Sequence, residues 1–268
     1  MSASEKIVLI GWGAIGQRVA ELLAERKSSA KIVAVAVRDK TIARDGLPAE
    51  AILIEDPAEL GLIHASLAIE AAGRASVLPW GEAALSAGMD FVVSSTSSFV
   101  DDAIFQRLNK TATRNGTKLI IPPGALGGVD ALSAASRLSM QSVEHRIIKP
   151  AKAWAGTLAS QLLKLDQISE ATVFFKGSAR DAADAFPQNA NVAVITSLAG
   201  IGLDRTLVTL IADPTAHLNT HEIIAEGDFG KMHLRFENSP LSTNPKSSEM
   251  TALNLARTIE NRVETTVI

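Results

Sequence analysis

One histidine in this chain stands where acid/base chemistry is commonly built. His221 opens the run His221-Glu-Ile-Ile-Ala225, on the same side as Ile223 and Ala225, directly after the loop Asp213-Pro-Thr-Ala-His-Leu-Asn-Thr220. A histidine at a loop–strand junction beside an apolar face suits a general acid/base, tuned by burial and by neighbours such as Asp213. The plainer alternative is a histidine that caps the strand, and spacing alone does not separate the two. The other four of the five histidines point to less chemistry. His64 falls in a poorly patterned connection, His145 in a strand flanked by charges, and His233 on the polar side of an alternating strand. All three are expected at the surface. His217 and His221 are four apart, a ligand spacing on a helix, but Pro214 and the β-type residues that follow argue against a helix there. With no cysteine and no carboxylate at ligand spacing, no metal site is expected.

A second constellation, Gly11-Trp-Gly-Ala-Ile-Gly16, follows the apolar run Ile7-Val-Leu-Ile10 and precedes a helix-patterned segment. In that setting Gly11 makes a tight turn, Gly13 lets a dinucleotide pyrophosphate approach the backbone, and Gly16 lets helix and strand pack closely. The helix start, with Ala14 and Ile15, turns its free N–H groups toward the phosphates. A glycine-rich turn with no ligand is the alternative. The motif's next cue is an acid about 20 positions later, placed to hold the ribose 2′-OH. Here Val37 takes that place and Arg38 follows. With no carboxylate to repel a 2′-phosphate, and a guanidinium beside it, the cofactor is expected to be NAD or NADP. Asp39 reaches the ribose only if the register slips.

Anion-binding capacity comes from Lys176-Gly-Ser-Ala-Arg180, in which Ser178 adds a hydroxyl to two cations that together suit a carboxylate. Lys149, Arg205 and Lys246 are further candidates, although most such side chains are solvated surface charges. The segment Pro122-Pro-Gly-Ala-Leu-Gly-Gly128 would bring backbone to the cofactor's nicotinamide end, or is simply a tight loop.

These groups must be held by two kinds of element. From residue 6 to about 121, strands alternate with helices: strands at 7–10, 31–39, 67–70, 90–94 and 118–121, and helices after Gly13, at 77–87 and at 98–115. Such alternation implies a Rossmann-type, doubly wound parallel α/β sheet, with its ligand crevice beyond the strand C-termini. The second half is expected to be α+β. A helix spans 130–140, a strand 143–149, a helix 189–200 and strands 207–212, 221–226 and 231–237, with a hairpin turn at Gly227-Asp228. In the last of these strands Met232, Leu234 and Phe236 alternate with Lys231, His233, Arg235 and Glu237, which means one covered and one wet face. A final helix from about Ser247 carries Leu255, Ile259 and Val263 on one stripe. The expected division is 1–121 for dinucleotide binding, 122–245 for an α+β catalytic domain, and 246–268 for a helix packing back on the first domain.

Composition sets outer limits. A chain of 268 residues fits two modest domains. A net charge of −3 with no basic block gives no reason to expect nucleic acid or an anionic membrane surface as a partner. Absence of cysteine excludes disulfides and thiol nucleophiles and leaves a cytoplasmic location as the expectation. Absence of tyrosine excludes the tyrosine general acid of one large reductase class. The start Met-Ser-Ala-Ser-Glu-Lys leads straight into the first strand, so no signal peptide is expected, and no apolar run is long enough to span a bilayer.

Taken in order, several stretches resemble the L-aspartate dehydrogenase family. They are Gly11–Gly16, Ile121-Pro-Pro-Gly-Ala-Leu-Gly-Gly-Val-Asp130, Lys176–Arg180, Phe186-Pro-Gln-Asn-Ala-Asn-Val-Ala193, Ile211-Ala-Asp-Pro214 and Asn219-Thr-His-Glu-Ile223, and they cover nearly the whole chain. The resemblance implies that His221 is the catalytic acid/base and that Ala125 and Asn191 contact the cofactor. It implies oxidation of L-aspartate to iminoaspartate, which hydrolyses to oxaloacetate and ammonia, or the reverse. Lys176, Ser178 and Arg180, with Lys149 and the backbone near Ala125, become candidates for the clamp on the substrate carboxylates. Iminoaspartate is a precursor of quinolinate, which opens a role in NAD biosynthesis, and the family plan implies a homodimer through the second-domain sheet. The departure from the family is Val37-Arg38, where an acid is frequent; it bears on cofactor choice and not on activity. Two rivals stand beside this. One is another NAD(P)H-dependent reductase of an aspartate-derived substrate, which would need a cysteine or a histidine- and lysine-rich signature not found here. The other is a non-catalytic dinucleotide-binding sensor, in which His221 would be dispensable.

Overall fold

The structure, a computed structural model, describes residues 5–267; the first four residues of the start considered for a signal peptide lie outside them. The chain divides into two compact units, residues 1–122 with 251–268, and residues 123–250.

The first unit is built on strands buried on both faces. β1 (Lys6–Ile10), β2 (Lys31–Ala36), β3 (Ile52–Ile54), β4 (Leu67–Glu70), β5 (Asp90–Val93) and β6 (Leu119–Ile120) form one six-stranded sheet in the order β3-β2-β1-β4-β5-β6. Each paired neighbour runs parallel. Continuous apolar runs such as Ile7–Ile10, fully buried, are what a sheet covered on both sides requires. The strand order is that of a dinucleotide-binding sheet, with the topological switch between β1 and β4. Helices α1 (Ala14–Glu25), α2 (Arg74–Ser86) and α3 (Asp102–Asn115) connect the strands.

β3 lies in a stretch where no pattern predicts it. It is a three-residue edge strand held by a parallel ladder to β2 and by the Val37 N–H donating to the Ile54 carbonyl at 2.8 Å. The helix expected over 98–115 starts later, because the Asp101 carboxylate caps it, accepting from the Ala103 N–H at 2.9 Å. Residues 96–100 form a separate 3₁₀ turn.

The second unit holds α4 (Val129–Ala135), β7 (Met140–Pro150), α5 (Ala159–Leu162), β8 (Thr172–Ser178), α6 (Ala179–Ala185), α7 (Ala190–Ala199), β9 (Leu207–Asp213), β10 (Asn219–Gly227) and β11 (Gly230–Asn238). A five-stranded mixed sheet runs β11-β10-β7-β9-β8, with β7 and β9 parallel and the other pairs antiparallel. β10 and β11 form the expected hairpin, Gly227 opposite Gly230. β8 and α6 are not marked by any clear period in the sequence. The helix expected over 130–140 is shorter, because Met140 already pairs with Gly227. A small hairpin of β12 (Pro240–Leu241) and β13 (Asn244–Ser248) delays the last helix, α8 (Glu249–Glu260).

α8 closes the first unit. Ala252, Leu255, Ala256 and Ile259 are buried in one cluster with Val19, Leu22 and Leu23 of α1 and with Ile7, Leu9 and Val35 of the sheet. Arg26 adds a two-oxygen bond to Glu260 at 2.9 and 2.8 Å, and Arg262 pairs with Glu5 and Asp90.

Candidate active site

The glycine turn between β1 and α1 is shaped by close backbone approach. Gly11 has φ +103°, a region other residues rarely adopt, and a Cβ there would lie 2.7 Å from the Ala71 carbonyl oxygen. A Cβ on Gly16 would lie 2.3 Å from the Gly11 oxygen, so helix and turn close together only on glycine. Gly13 differs. A Cβ there would meet nothing within 4 Å, so its place faces open space. That space is a cavity of about 530 Å³ at the C-terminal ends of β1, β2 and β4, lined by Gly11, Gly13, Val37, Arg38, Arg44 and Glu55 among others. Room above Gly13, a helix start and two guanidiniums fit a dinucleotide and its phosphates. Ala14, Ile15 and Gly16 form the first turn of the helix beside it. Asp39 is engaged elsewhere: its carboxylate accepts from the Thr41 N–H at 2.8 Å and hydroxyl at 2.6 Å.

Arg44, Glu55 and Glu70 escape the sequence reading. Arg44 and Glu55 reach the cavity from a loop and from the residue after β3. Glu70, fully buried at the end of β4, accepts from the Ala72, Gly73 and Ser95 N–H groups at 2.8, 2.8 and 2.9 Å and from the Ser95 hydroxyl at 2.8 Å. It fixes the turns on either side of the switch point. The apolar run Leu67–Ile69 ending in a glutamate was the available signal, since a carboxylate inside a sheet needs donors.

In the second unit His221 sits on β10 and is 5% exposed. His145, expected at the surface, is fully buried instead. The reason is period two: Val143, His145 and Ile147 share the inner face of β7, while Glu144 and Arg146 pair with each other on the other face. The charges that flank His145 therefore place it inside. Antiparallel pairing sets His145 opposite Ile223, two residues from His221, and His145 Nε2 lies 3.1 Å from His221 Nδ1. The Thr196 hydroxyl of α7 lies 2.9 Å from His145 Nδ1. Burial pushes the His145 imidazole down to about 3. It also holds His221 well below its ordinary value, with His145 and Lys149 pushing the same way. Both rings are neutral near pH 7, and His221 is free to take a proton. Asp213 plays no such part, since its carboxylate accepts from the Thr215 N–H at 2.8 Å and hydroxyl at 2.7 Å.

Lys149, at the end of β7, donates to the Asn189 carboxamide oxygen and stands 5.1 Å over the ring of the buried Trp154. Trp154 is anchored through Nε1 to the Ile211 carbonyl at 3.0 Å and packs edge-on against Phe174 and Phe186. Desolvation pulls the Lys149 ammonium down to about 8. A half-buried cation beside a neutral, buried imidazole is equipped to hold an anion while the ring moves a proton.

The segment 176–180 is placed otherwise. Ser178 caps α6, accepting from the Asp181 N–H at 3.1 Å, and Arg180 makes a two-pronged pair with Asp204 at 2.6 and 3.0 Å. Lys176 is exposed on β8, an edge strand separated from β10 by β9 and β7. These three residues are not brought beside His221. Ala125 is buried, and its carbonyl accepts from the Asn238 Nδ2 at 2.8 Å, while Asn191 lies in the first turn of α7. Gly127 and Gly128 leave room for side chains: a Cβ on them would meet Phe236 at 2.5 Å and Leu234 at 2.6 Å. His217 is exposed in the turn before β10 and lines a separate cavity of about 880 Å³, to which His221 does not contribute. Among the described residues no helix is long and apolar enough to cross a membrane.

A dinucleotide-binding sheet joined in one chain to a mixed-sheet unit with a buried imidazole beside a cation defines an NAD(P)-linked oxidoreductase. Residues 11–122 match the family model described as homoserine dehydrogenase, NAD binding domain, and residues 130–262 match aspartate dehydrogenase, C-terminal. The sequence is 79% identical to the L-aspartate dehydrogenase of Brucella anthropi over 100% of both chains. It is 41% identical to that of Cupriavidus necator, over 96% of this chain and 97% of the other. The aspartate dehydrogenase of Thermotoga maritima, at 24% identity, shares the fold over 98% of this chain and 99% of its own, with a TM-score of 0.78. The chain belongs to the L-aspartate dehydrogenase family.

Proposed function

We propose that this protein catalyses the NAD(P)-dependent, reversible oxidative deamination of L-aspartate to oxaloacetate and ammonia through iminoaspartate, with His221 as the acid/base. The observation that carries the assignment is the buried imidazole of His221, 3.1 Å from His145 and on the strand paired with the one that carries Lys149. The substrate amine is protonated in water and must be neutral before hydride leaves Cα. His221 accepts that proton in a site where burial disfavours keeping it, so the ring is ready to pass it to solvent. A nicotinamide cofactor held at the glycine turn would supply the acceptor for the Cα hydride and its electron pair. The imidazole of His221 then takes a proton from the water that attacks the imine carbon, and collapse of the adduct releases ammonia.

Lys149 supplies the cation for a substrate carboxylate, with its ammonium held in place by Asn189 and Trp154. Gly11, Gly13, Ala14, Ile15, Gly16 and Arg38 hold the dinucleotide, with Ala125 and Asn191 assigned to the cofactor on the strength of family resemblance. Arg38 and Arg44 together favour a 2′-phosphate, while the carboxylate of Glu55, which accepts from the Lys40 N–H at 3.1 Å, lines the same cavity as a further acceptor for a ribose hydroxyl, so both cofactors are accommodated. We further place the enzyme in the cytoplasm as a homodimer feeding iminoaspartate to NAD biosynthesis; light scattering on the purified protein reads the oligomeric state. The central test follows NAD(P)H formation with L-aspartate in the wild type and in His221→Ala. Aspartate-dependent reduction is expected in the first and its near-loss in the second. Full turnover by the mutant would remove His221 from the chemistry, and no aspartate-dependent reduction at all would remove the activity.

A further inference from the structure

His221, His145 and Thr196 form one hydrogen-bonded row whose hydrogens can be counted. Thr196 has a single hydroxyl hydrogen, and its Oγ1 lies 3.0 Å from the Val192 carbonyl oxygen one turn back along α7. A carbonyl can only accept, so the hydrogen belongs there. The same Oγ1 lies 2.9 Å from His145 Nδ1 and must accept at that contact, which puts a hydrogen on Nδ1. Burial keeps His145 neutral down to about pH 3, so its ring carries one hydrogen only and its Nε2 is bare. That bare nitrogen is 3.1 Å from His221 Nδ1, which therefore donates. A neutral His221 has no second hydrogen, and its Nε2 is left with an open lone pair.

We propose that Thr196 and His145 are positioning residues that fix His221 as its Nδ1–H tautomer, so that Nε2 is the atom that takes the substrate's proton. The inference rests on His221 being the acid/base and adds which of its two nitrogens reacts and what selects it. His145 acts from behind: when His221 gains its proton, the His145 Nε2 lone pair still receives the Nδ1–H, so the ring keeps its orientation. The titratable groups that face His221 are His145 and Lys149, both on β7, and among the described residues α7 contributes the Thr196 hydroxyl to the row. The opposite polarity, with Thr196 donating to His145, would reverse every hydrogen and present Nε2–H to the substrate. It would also forfeit the bond to Val192.

Long-range ¹H–¹⁵N correlation spectra of histidine-labelled enzyme near neutral pH distinguish the two polarities without any turnover. Resonances are assigned to the two rings by their loss in His145→Gln and His221→Gln. Both rings are expected as Nδ1–H with bare Nε2; an Nε2–H signal on His221 would overturn the proposal. Thr196→Val removes the hydroxyl at constant shape and is expected to lower kcat about tenfold with KM for aspartate and NAD(P) unmoved, the loss of roughly one hydrogen bond's worth of preference. The second tautomer of His221 should appear in its spectrum, and Thr196→Ser should restore both rate and spectrum. A Thr196→Val enzyme with wild-type kcat and an unmixed Nδ1–H spectrum would show that the row selects nothing. Failure of the acid/base assignment itself reads differently, as full turnover by His221→Ala whatever the tautomer.

Discussion

The glycine turn of the first unit and the histidine row of the second handle polar chemistry by opposite means. At Gly11–Gly16 the protein withholds side chains. Backbone approaches backbone at distances a Cβ would forbid, and a space opens over Gly13 for a ligand that brings its own charge. Around His221 the protein supplies side chains and removes water, so neighbours set the protonation state that solvent would otherwise set. On the proposed function, one region binds through room and dipoles and the other reacts through desolvation. They should therefore fail in different ways when altered.

The sharpest break is His221→Ala. Its kcat is expected to fall by roughly 10²–10⁴ while NADPH affinity, read by fluorescence titration, stays put. Parallel loss of NADPH binding would mean the two regions are not separable. Lys149→Met keeps the bulk and removes the charge, and KM for aspartate is expected to rise about 10–100-fold, the size of a lost charge-assisted bond. An unchanged KM would move the carboxylate clamp elsewhere. In the other region, Gly16→Ala forces a Cβ against the Gly11 carbonyl; a cost of about 1–3 kcal/mol is expected as a lowered Tm together with weaker NAD(P) binding. A mutant that keeps both would show that the turn has slack.

The pH dependence of stability reports on the second region, through two groups of β7. His145 has its folded pKa lowered to about 3, so between there and 6.5 the unfolded chain binds the extra proton. Stability contributed by the neutral ring is lost as pH falls through that window, by up to about 1.4 kcal/mol per unit. Lys149 is lowered to about 8 from 10.5, so burying its charge costs stability below pH 8, and that cost is relieved as pH rises through the window. Urea unfolding from acid to alkaline pH should show both slopes with a flatter stretch between, and the acid slope should shrink in His145→Gln. The smallest effect is expected at the exposed Arg38. Replacing it by Ala should raise KM for NADP by up to about fivefold and leave NAD alone. An equal effect on both cofactors would take Arg38 off the 2′-phosphate.

Most of the first unit could be read directly from the chain because its signals are local. A buried run, a glycine turn and a helix stripe lie within the first 25 residues, and Asp101 and Gly116 cap α3. β3 could not be read, since three residues carry no period and only the ladder to β2 makes them a strand. In the second unit His145 was misplaced because charges on both sides suggest a surface, whereas in a strand they point the other way from the residue between them. The Lys176–Arg180 run resembled an anion site, yet its hydroxyl and guanidinium are engaged by Asp181 and Asp204.

By itself, then, the sequence determined the cofactor class and singled out His221, because a nucleotide turn and a strand-opening histidine are patterns of neighbouring residues. The state of that histidine was decided only by tertiary structure. His145 is 76 residues away along the chain, and Thr196 is 51 from His145. Pairing of β7 with β10, and the packing of α7, bring the three into one dry row, and only there do burial and a single hydroxyl hydrogen dictate which nitrogen carries the proton.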